Sequence, residues 1–258
     1  ENIVVEGLEF GDVGVGTRLA VGPAEVEITQ IGKVCHHRCA IYDTTGDCIM
    51  PRAGIFARVA RGGVVRAGAD ARVVSRVDRS AVQAAVVTVS DRCAAGTAVD
   101  TAGPALALAL REHLSAHVAC RVVLPDDEDA ILRTLAALAD RGLDLVLTTG
   151  GTGCAARDRT PEATKRAVER EVPGLSEAMR AASAKTAPHA LLQRGVAGIR
   201  GSTLIVNLPG SERAALENLS VVLPVLPHAV ELLRGETAHP ATDAGRPPVP
   251  RALESSRP

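Results

Sequence analysis

The sequence predicts an α/β protein: a parallel sheet with helices on both faces, preceded by a small β-rich module. Three observations carry this. From residue 84 onward, apolar strand-like runs alternate with segments of helical period, the pattern of a parallel sheet built from crossovers. Residues 145–158, LVLTTGGTGCAARD, join an apolar strand to a glycine turn, and a helix start follows. Before residue 76 no 3.6-residue period appears, and short runs of strand character are separated by glycines and turn residues.

The bulk numbers bound the partners. At 258 residues the chain suits one large or two ordinary domains, and 46% hydrophobic residues suffice for a core. That core must be aliphatic, because aromatics are 1% and Trp is absent. A net charge of −1 gives no global field for nucleic acid or an anionic membrane. No run of 18 apolar residues and no signal-peptide pattern occurs, so a cytoplasmic location is expected, with the six Cys reduced. The chain opens at Glu1 without Met, and a further N-terminal part is expected.

In residues 1–76 the expected strands are 3–5, 18–21, 26–31 and 71–74. Between them lies IGKVCHHRCAIYDTTGDC, with Cys35, His36, His37, Cys39 and Cys48. Three readings stay open there: buried small side chains, a metal site, or a reactive thiolate at Cys35 activated by Lys33, His36 or Arg38. Cys-x3-Cys without a second pair is weak metal spacing. From Arg52 to Arg79 there are seven Arg against two Asp, which suits a solvated surface or a seat for a phosphorylated ligand. Residues 77–83 read as a linker.

The second region, 84–235, reads as strand 84–89 ending in Ser90 and Asp91; a loop 97–103; a helix opened by Pro104 with Leu106, Leu110 and Leu114 on one face; strand 118–124 ending at Asp126; and a helix over about 128–141 with Ile131, Leu132, Leu135 and Leu138 inward. The apolar strand of Leu145, Val146 and Leu147 follows, closed by Thr148 and Thr149. Gly150, Gly151, Thr152 and Gly153 then turn the chain and present bare N–H groups. Thr160 is expected to cap the next helix, with Pro161 at its first position. Helices at about 161–171 and 174–185, a strand 203–206 ended by Asn207, Pro209 and Gly210, a helix capped by Ser211, and a last helix stopping near Gly235 complete it. Residues 236–258, rich in Pro, Ala and Arg, read as a disordered tail.

Parallel sheets bind ligands at the carboxyl ends of their strands. Here those ends carry Ser90 and Asp91, Asp126, the TTGGTG turn, and Asn207 with Gly210. Strand, glycine turn and helix start make a phosphate cradle, although no Walker or GxGxxG pattern is present. Asp158 beside such a cradle is unfavourable unless a cation bridges carboxylate and phosphate, which points to Mg²⁺.

Two family resemblances follow. Residues 84–235 resemble the molybdopterin adenylyltransferase family, which includes the G domain of gephyrin. The likeness is carried by VSDR, DTAGP, LPDDE, LVLTTGGTG with ARDRTPEAT, EREVPGLSEAMR, GIRGSTLIVNLPGS and LPHAVELL. It implies a trimeric α/β molybdopterin-binding domain that uses Mg-ATP to adenylylate molybdopterin before molybdate insertion. It implies catalytic and metal-holding roles for Asp126 and Asp158. Phosphates would sit on Thr149 to Gly153, and nucleotide or pterin contacts would come from Ser90, Asp91, Asn207, Pro209, Gly210 and Ser211. The family carries Ser where this chain has Gln193. A non-catalytic molybdopterin or molybdenum-cofactor carrier, and an interaction scaffold of the gephyrin kind, are the alternatives. The partners implied are these small molecules, a homotrimer and other proteins of the pathway. Residues 1–76 resemble the MOSC domain through ENIVVEGL, GTRLAVG, EITQIGKVC and GDCIMPRAGIFARV, and lack what precedes ENI in that family. That likeness places Cys35 on the family's cysteine and implies molybdenum-cofactor binding or sulfur handling.

Overall fold

The computed structural model describes residues 3–31, 54–78 and 81–235. Cys35, Cys39, Cys48 and the tail 236–258 lie outside them.

Two sheets organise the described chain. The first is antiparallel, built from β1 (Arg18–Val21), β2 (Ala24–Ile31), β3 (Ile55–Arg61) and β4 (Ala71–Ser75) in the order β3-β2-β1-β4. A tight turn joins β1 to β2, whose register pairs Val21 with Ala24. Val13, Leu19 and Ile28 are its buried core, with Phe10, Val26, Ile55 and Val73 against them. The expected strand at 3–5 does not form: Ile3 and Val4 are exposed and find no apolar face. Strand β3 was not expected, because Arg58 and Arg61 hide its β pattern. Those arginines are half the explanation of the basic stretch as well. Arg58 and Arg61 pair across the sheet with Glu27 and Glu25, and Arg76 pairs with Asp12.

The second sheet runs through β5 (Gln83–Val89), β6 (His117–Leu124), β7 (Leu145–Thr149), β8 (Arg170–Glu171), β9 (Ala197–Arg200) and β10 (Thr203–Leu208), in the order β6-β5-β7-β10-β9-β8. The first four strands in that order are mutually parallel, whereas β9 runs antiparallel to β10, and the two-residue β8 runs antiparallel to β9 in turn. The expected parallel sheet with helices is present in those first four strands, and the sheet as a whole is mixed, mostly parallel. The hairpin between β9 and β10 turns on Gly201 and is too short for a crossover.

Seven helices complete this region: α1 (Asp91–Ala94), α2 (Ala102–Leu114), α3 (Glu128–Asp140), α4 (Thr160–Ala167), α5 (Pro173–Ala184), α6 (Glu212–Val222) and α7 (Leu226–Arg234). Strand alternation sorts side chains between two cores. Ala84 and Val86 face one with Leu106, Leu110, Met179, Leu219 and Leu226; Ala85, Val87 and Val89 face the other with Ile131, Leu135 and Ala163. Burial on both faces is why β5, β7 and β10 read as nearly unbroken apolar runs. Residues Glu212–Arg234 are long and apolar enough to cross a membrane by composition. Their helix is interrupted by a 3-10 turn at Leu223–Val225, and Ala215, Leu219, Val222 and Leu226 pack into the core.

The sheets meet at the amino ends of the parallel strands. A Cβ placed on Gly16 would overlap the ring of His117, the first residue of β6, and Gln30 Nε2 donates to the Asp140 carbonyl at 3.3 Å.

Candidate active site

At the opposite, carboxyl ends of the strands lies a cavity of about 700 Å³. Its floor is the turn after β7. Gly150 has φ +100°, and a Cβ there would come within 2.1 Å of the Val89 carbonyl oxygen. Gly151 has φ +61°, and its Cβ would meet the Thr160 hydroxyl and an Asp126 carboxylate oxygen. No other residue type fits these two positions without displacing β5 or α4. The Thr160 hydroxyl, expected as a helix cap, instead donates to the Gly150 carbonyl at 2.9 Å, and Arg159 is the cap residue. The side chain thus fastens the turn to α4.

Of the residues expected to bind or react, Ser90, Asp91, Asp126, Gly150, Gly151, Thr152, Gly153, Asp158, Pro209, Gly210 and Ser211 all line this cavity. Ser90 and Ser211 use their Oγ to accept from Cys93 N and Ala214 N, capping α1 and α6, and each hydroxyl keeps a proton to donate. Two expected residues lie beneath the wall instead. Thr149 is buried and donates to the Pro209 carbonyl at 2.6 Å. Asn207 is fully buried: its Nδ2 donates to Thr148 and Thr164, each at 2.9 Å, and its Oδ1 accepts from Val196 N. The expected ligand contact from Asn207 is corrected to a clamp that ties β7, β10 and α4 together.

Three carboxylates converge on the turn. Asp126 and Asp91 exchange bonds, each side chain accepting from the other's backbone N–H at 2.9–3.1 Å. Asp158 accepts from Ala155 N at 3.0 Å. Burial first, then the negative charges of Asp91 and Asp158, hold the Asp126 carboxyl above the usual carboxylate range. The Asp91 N–H and the charge of Arg157 oppose that rise. Among the described residues no three His, Cys, Asp or Glu side chains are arranged to hold a bare metal ion.

The arginines went unassigned in the sequence. Arg194 Nε donates to Gly153 O at 2.6 Å, its Nη2 to Asp158 O at 2.7 Å, and its Nη1 to Glu162, so one guanidinium pins both ends of the loop that carries Asp158. The bond from Arg194 holds the Glu162 carboxyl below its usual range. Arg92 and Arg157 line the cavity and make no ion pair among the described residues. A second lobe extends between α5 and α6, lined by Arg180, Ser183, His189, Gln193, Glu217 and Asn218. No short motif announces it, because its residues come from separated segments.

Residues 85–228 match the family model described as "Probable molybdopterin binding domain". The molybdopterin adenylyltransferase of Helicobacter pylori J99 is 41% identical over 152 residues, which cover 58% of this chain and 86% of that protein. Gephyrin of Dictyostelium discoideum is 40% identical over 160 residues, 58% of this chain and 22% of that much longer protein. The crystal structure of the molybdopterin biosynthesis enzyme MoaB from Thermus thermophilus superposes with a TM-score of 0.57 at 50% identity, covering 60% of this chain and 97% of that one. The matched span contains the whole cavity wall, and on that ground the chain belongs to the molybdopterin-binding domain family of molybdenum cofactor biosynthesis.

Proposed function

We propose that this chain is a molybdopterin adenylyltransferase that uses Mg-ATP. The observation that carries the reading is the convergence of Asp91, Asp126 and Asp158 on the glycine turn, with Arg92 and Arg157 beside it. In the transfer, a phosphate oxygen of molybdopterin attacks the α-phosphorus of ATP, the bond to the β-phosphate oxygen breaks, and pyrophosphate leaves. Such a step asks the protein for position and charge more than for covalent help. Gly150, Gly151 and Gly153 offer backbone close to the phosphates, and the two arginines supply positive charge where pyrophosphate forms. Asp126 and Asp158 fit Mg²⁺ that arrives with ATP, since this ion needs only one or two protein carboxylates once phosphates complete its shell. Mutual repulsion among the three carboxylates also favours a cation there. When bound, Mg²⁺ neutralises charge on the phosphates.

Relatives 39–45% identical that are molybdopterin adenylyltransferases support this reading over a non-catalytic carrier or a scaffold. The test is pyrophosphate release from protein, molybdopterin and Mg-ATP. Release dependent on both substrates is expected; tight molybdopterin binding without release favours the carrier. We read the active assembly as a homotrimer located in the cytoplasm, and sedimentation at micromolar concentration checks its size. Residues 1–76 are read as a MOSC-like module that handles the molybdenum cofactor or its sulfur. Domain limits of 1–76 and 84–235 with a linker at 77–83 belong to the same reading.

A further inference from the structure

The arginines of the small sheet gather on one of its faces, apart from the cavity. Strand register sets Arg72, Ala20, Glu25 and Arg61 in one row across β4, β1, β2 and β3, and Arg18, Glu27 and Arg58 in the next. Leu19, Ile28 and Val73 point the other way, into the core. The face therefore carries four guanidiniums against two carboxylates, a surplus of positive charge in a chain whose formal net charge is −1.

The two glutamates show how this face holds acid groups. Glu25 and Glu27 stand two residues apart on an extended strand. Glu25 lies between Arg18 at 3.5 Å and Arg61 at 3.8 Å, and Glu27 between Arg18 at 3.4 Å and Arg58 at 3.0 Å. Among the described residues only the contact from Arg58 to Glu27 is a hydrogen bond. A guanidinium has five N–H donors, so most of these remain open to a further acceptor. The side chains of Arg58 and Arg61 are 61% and 67% exposed, against 18% and 17% for their glutamates. Arg72 is exposed too, and makes no ion pair among the described residues. The carboxylates are covered while the cations stay open.

The size and spacing of the patch select its partner. Four strands about 4.8 Å apart make it about 14 Å wide. That is too small for the run of phosphate contacts by which a nucleic acid duplex binds. Phe56 is the one aromatic side chain that strand alternation adds to the face among the described residues, so single-stranded bases find no row of rings to stack on. Alternate side chains of an extended peptide lie about 7 Å apart, the spacing that Glu25 and Glu27 already use. A strand with an acid at every second position repeats their presentation from outside.

We propose that this face of the small sheet is a docking surface for an extended acidic segment of another protein. Alternate carboxylates of that segment take the open donors of Arg58, Arg61 and Arg72. The test uses the whole chain and a fluorescein-labelled peptide of about ten residues, alternating Glu and Thr, with anisotropy as the readout. Expected is saturable binding that weakens as salt rises from about 0.05 M to about 0.3 M, and none to the same peptide with Gln for Glu. Arg61→Gln combined with Arg72→Gln removes the surplus and should lower affinity about tenfold. Glu25→Gln enlarges the surplus and should raise affinity about threefold, a direction that damage to the fold does not produce. Equal binding of the Glu and Gln peptides overturns the proposal, as does unchanged affinity in the double variant. Unchanged or lowered affinity in Glu25→Gln overturns it as well, and decides the matter should the double variant fail to fold. A single-stranded RNA of the same charge that binds as tightly as the peptide also overturns it, and makes the face a general polyanion surface.

Discussion

The two sheets solve the problem of burial differently. In the mixed sheet all seven residues of β5, all five of β7 and all six of β10 are buried, with a separate aliphatic core on each face. In the antiparallel sheet, β3 exposes five of its seven residues, and the buried core is Val13, Leu19 and Ile28. What crosses its open face is charge: Arg18 with Glu25 and Glu27, Arg58 with Glu27, Arg61 with Glu25. Exposed pairs of that kind contribute about 0–1 kcal/mol each, whereas a buried leucine contributes roughly 2 kcal/mol or more. The candidate site sits on the sheet with two cores, where backbone positions are held hardest. The small sheet touches the other end of the strands. A seven-residue strand is about 23 Å long, so the small sheet of the same chain does not reach the cavity.

The largest expected effect separates the two regions by function. In the intact chain, Asp158→Asn keeps the acceptor for Ala155 N but removes the charge. Adenylyl transfer should fall by about 10²-fold or more, as for loss of one preorganised electrostatic contact, with little change in melting temperature. Residues 81–235 expressed alone should fold and release pyrophosphate at the rate of the whole chain. Near-normal turnover by the Asn variant removes Asp158 from the mechanism. A folded but inactive 81–235 fragment means the small sheet acts on the site after all.

The next contrast is in backbone and charge. Gly150→Ala places a methyl against the Val89 carbonyl at φ +100°, so about 3 kcal/mol or more of stability should be lost in urea unfolding, along with activity. Asp144 is nearly buried and accepts from Arg234 Nε at 2.8 Å, from its Nη2 at 2.6 Å and from Gln83 N at 2.7 Å. Arg234→Ala leaves that carboxylate without its cation and should cost about 3 kcal/mol. Arg58→Ala in the exposed pair with Glu27 should cost under about 1 kcal/mol. Equal losses at Arg234 and Arg58 would erase the distinction drawn between the two sheets.

What the sequence disclosed follows the same division. The β7 run and its glycine turn were legible because burial on both faces and positive φ each leave a compositional mark. Asp158 was legible because it stands beside the glycine turn, just before α4, and Ser90, Asp126 and Ser211 because they follow strand ends. Asn207 stands at one too, but nothing local says that Thr148 and Thr164 will claim its amide. Strand β9 was missed because Gly198 dilutes a four-residue run, and β3 because its arginines are satisfied by glutamates on another strand. The second lobe was missed since Arg180, Gln193 and Asn218 are neighbours only after folding.

The smallest expected effect lies at the joint between the sheets. His117 packs against Gly16, with Arg111 and Glu27 nearby. Burial, and then the Arg111 charge, hold its imidazole below the ordinary value, with Glu27 opposing. The folded state therefore prefers the neutral ring. A group depressed in this way contributes stability that is present above its unfolded value, about 6.5, and is lost as pH falls through the lower folded value. Acidification should loosen the contact between the sheets before it affects either core. In urea unfolding followed from pH 8 to pH 5, the small sheet should unfold at progressively lower urea while the transition of the mixed sheet stays put. The His117→Gln variant keeps a polar side chain but cannot titrate, so its two transitions should keep a constant separation over that range. A separation that changes with pH as much in the variant as in the intact chain would assign the effect to carboxylates elsewhere, and the joint would then be held by shape alone.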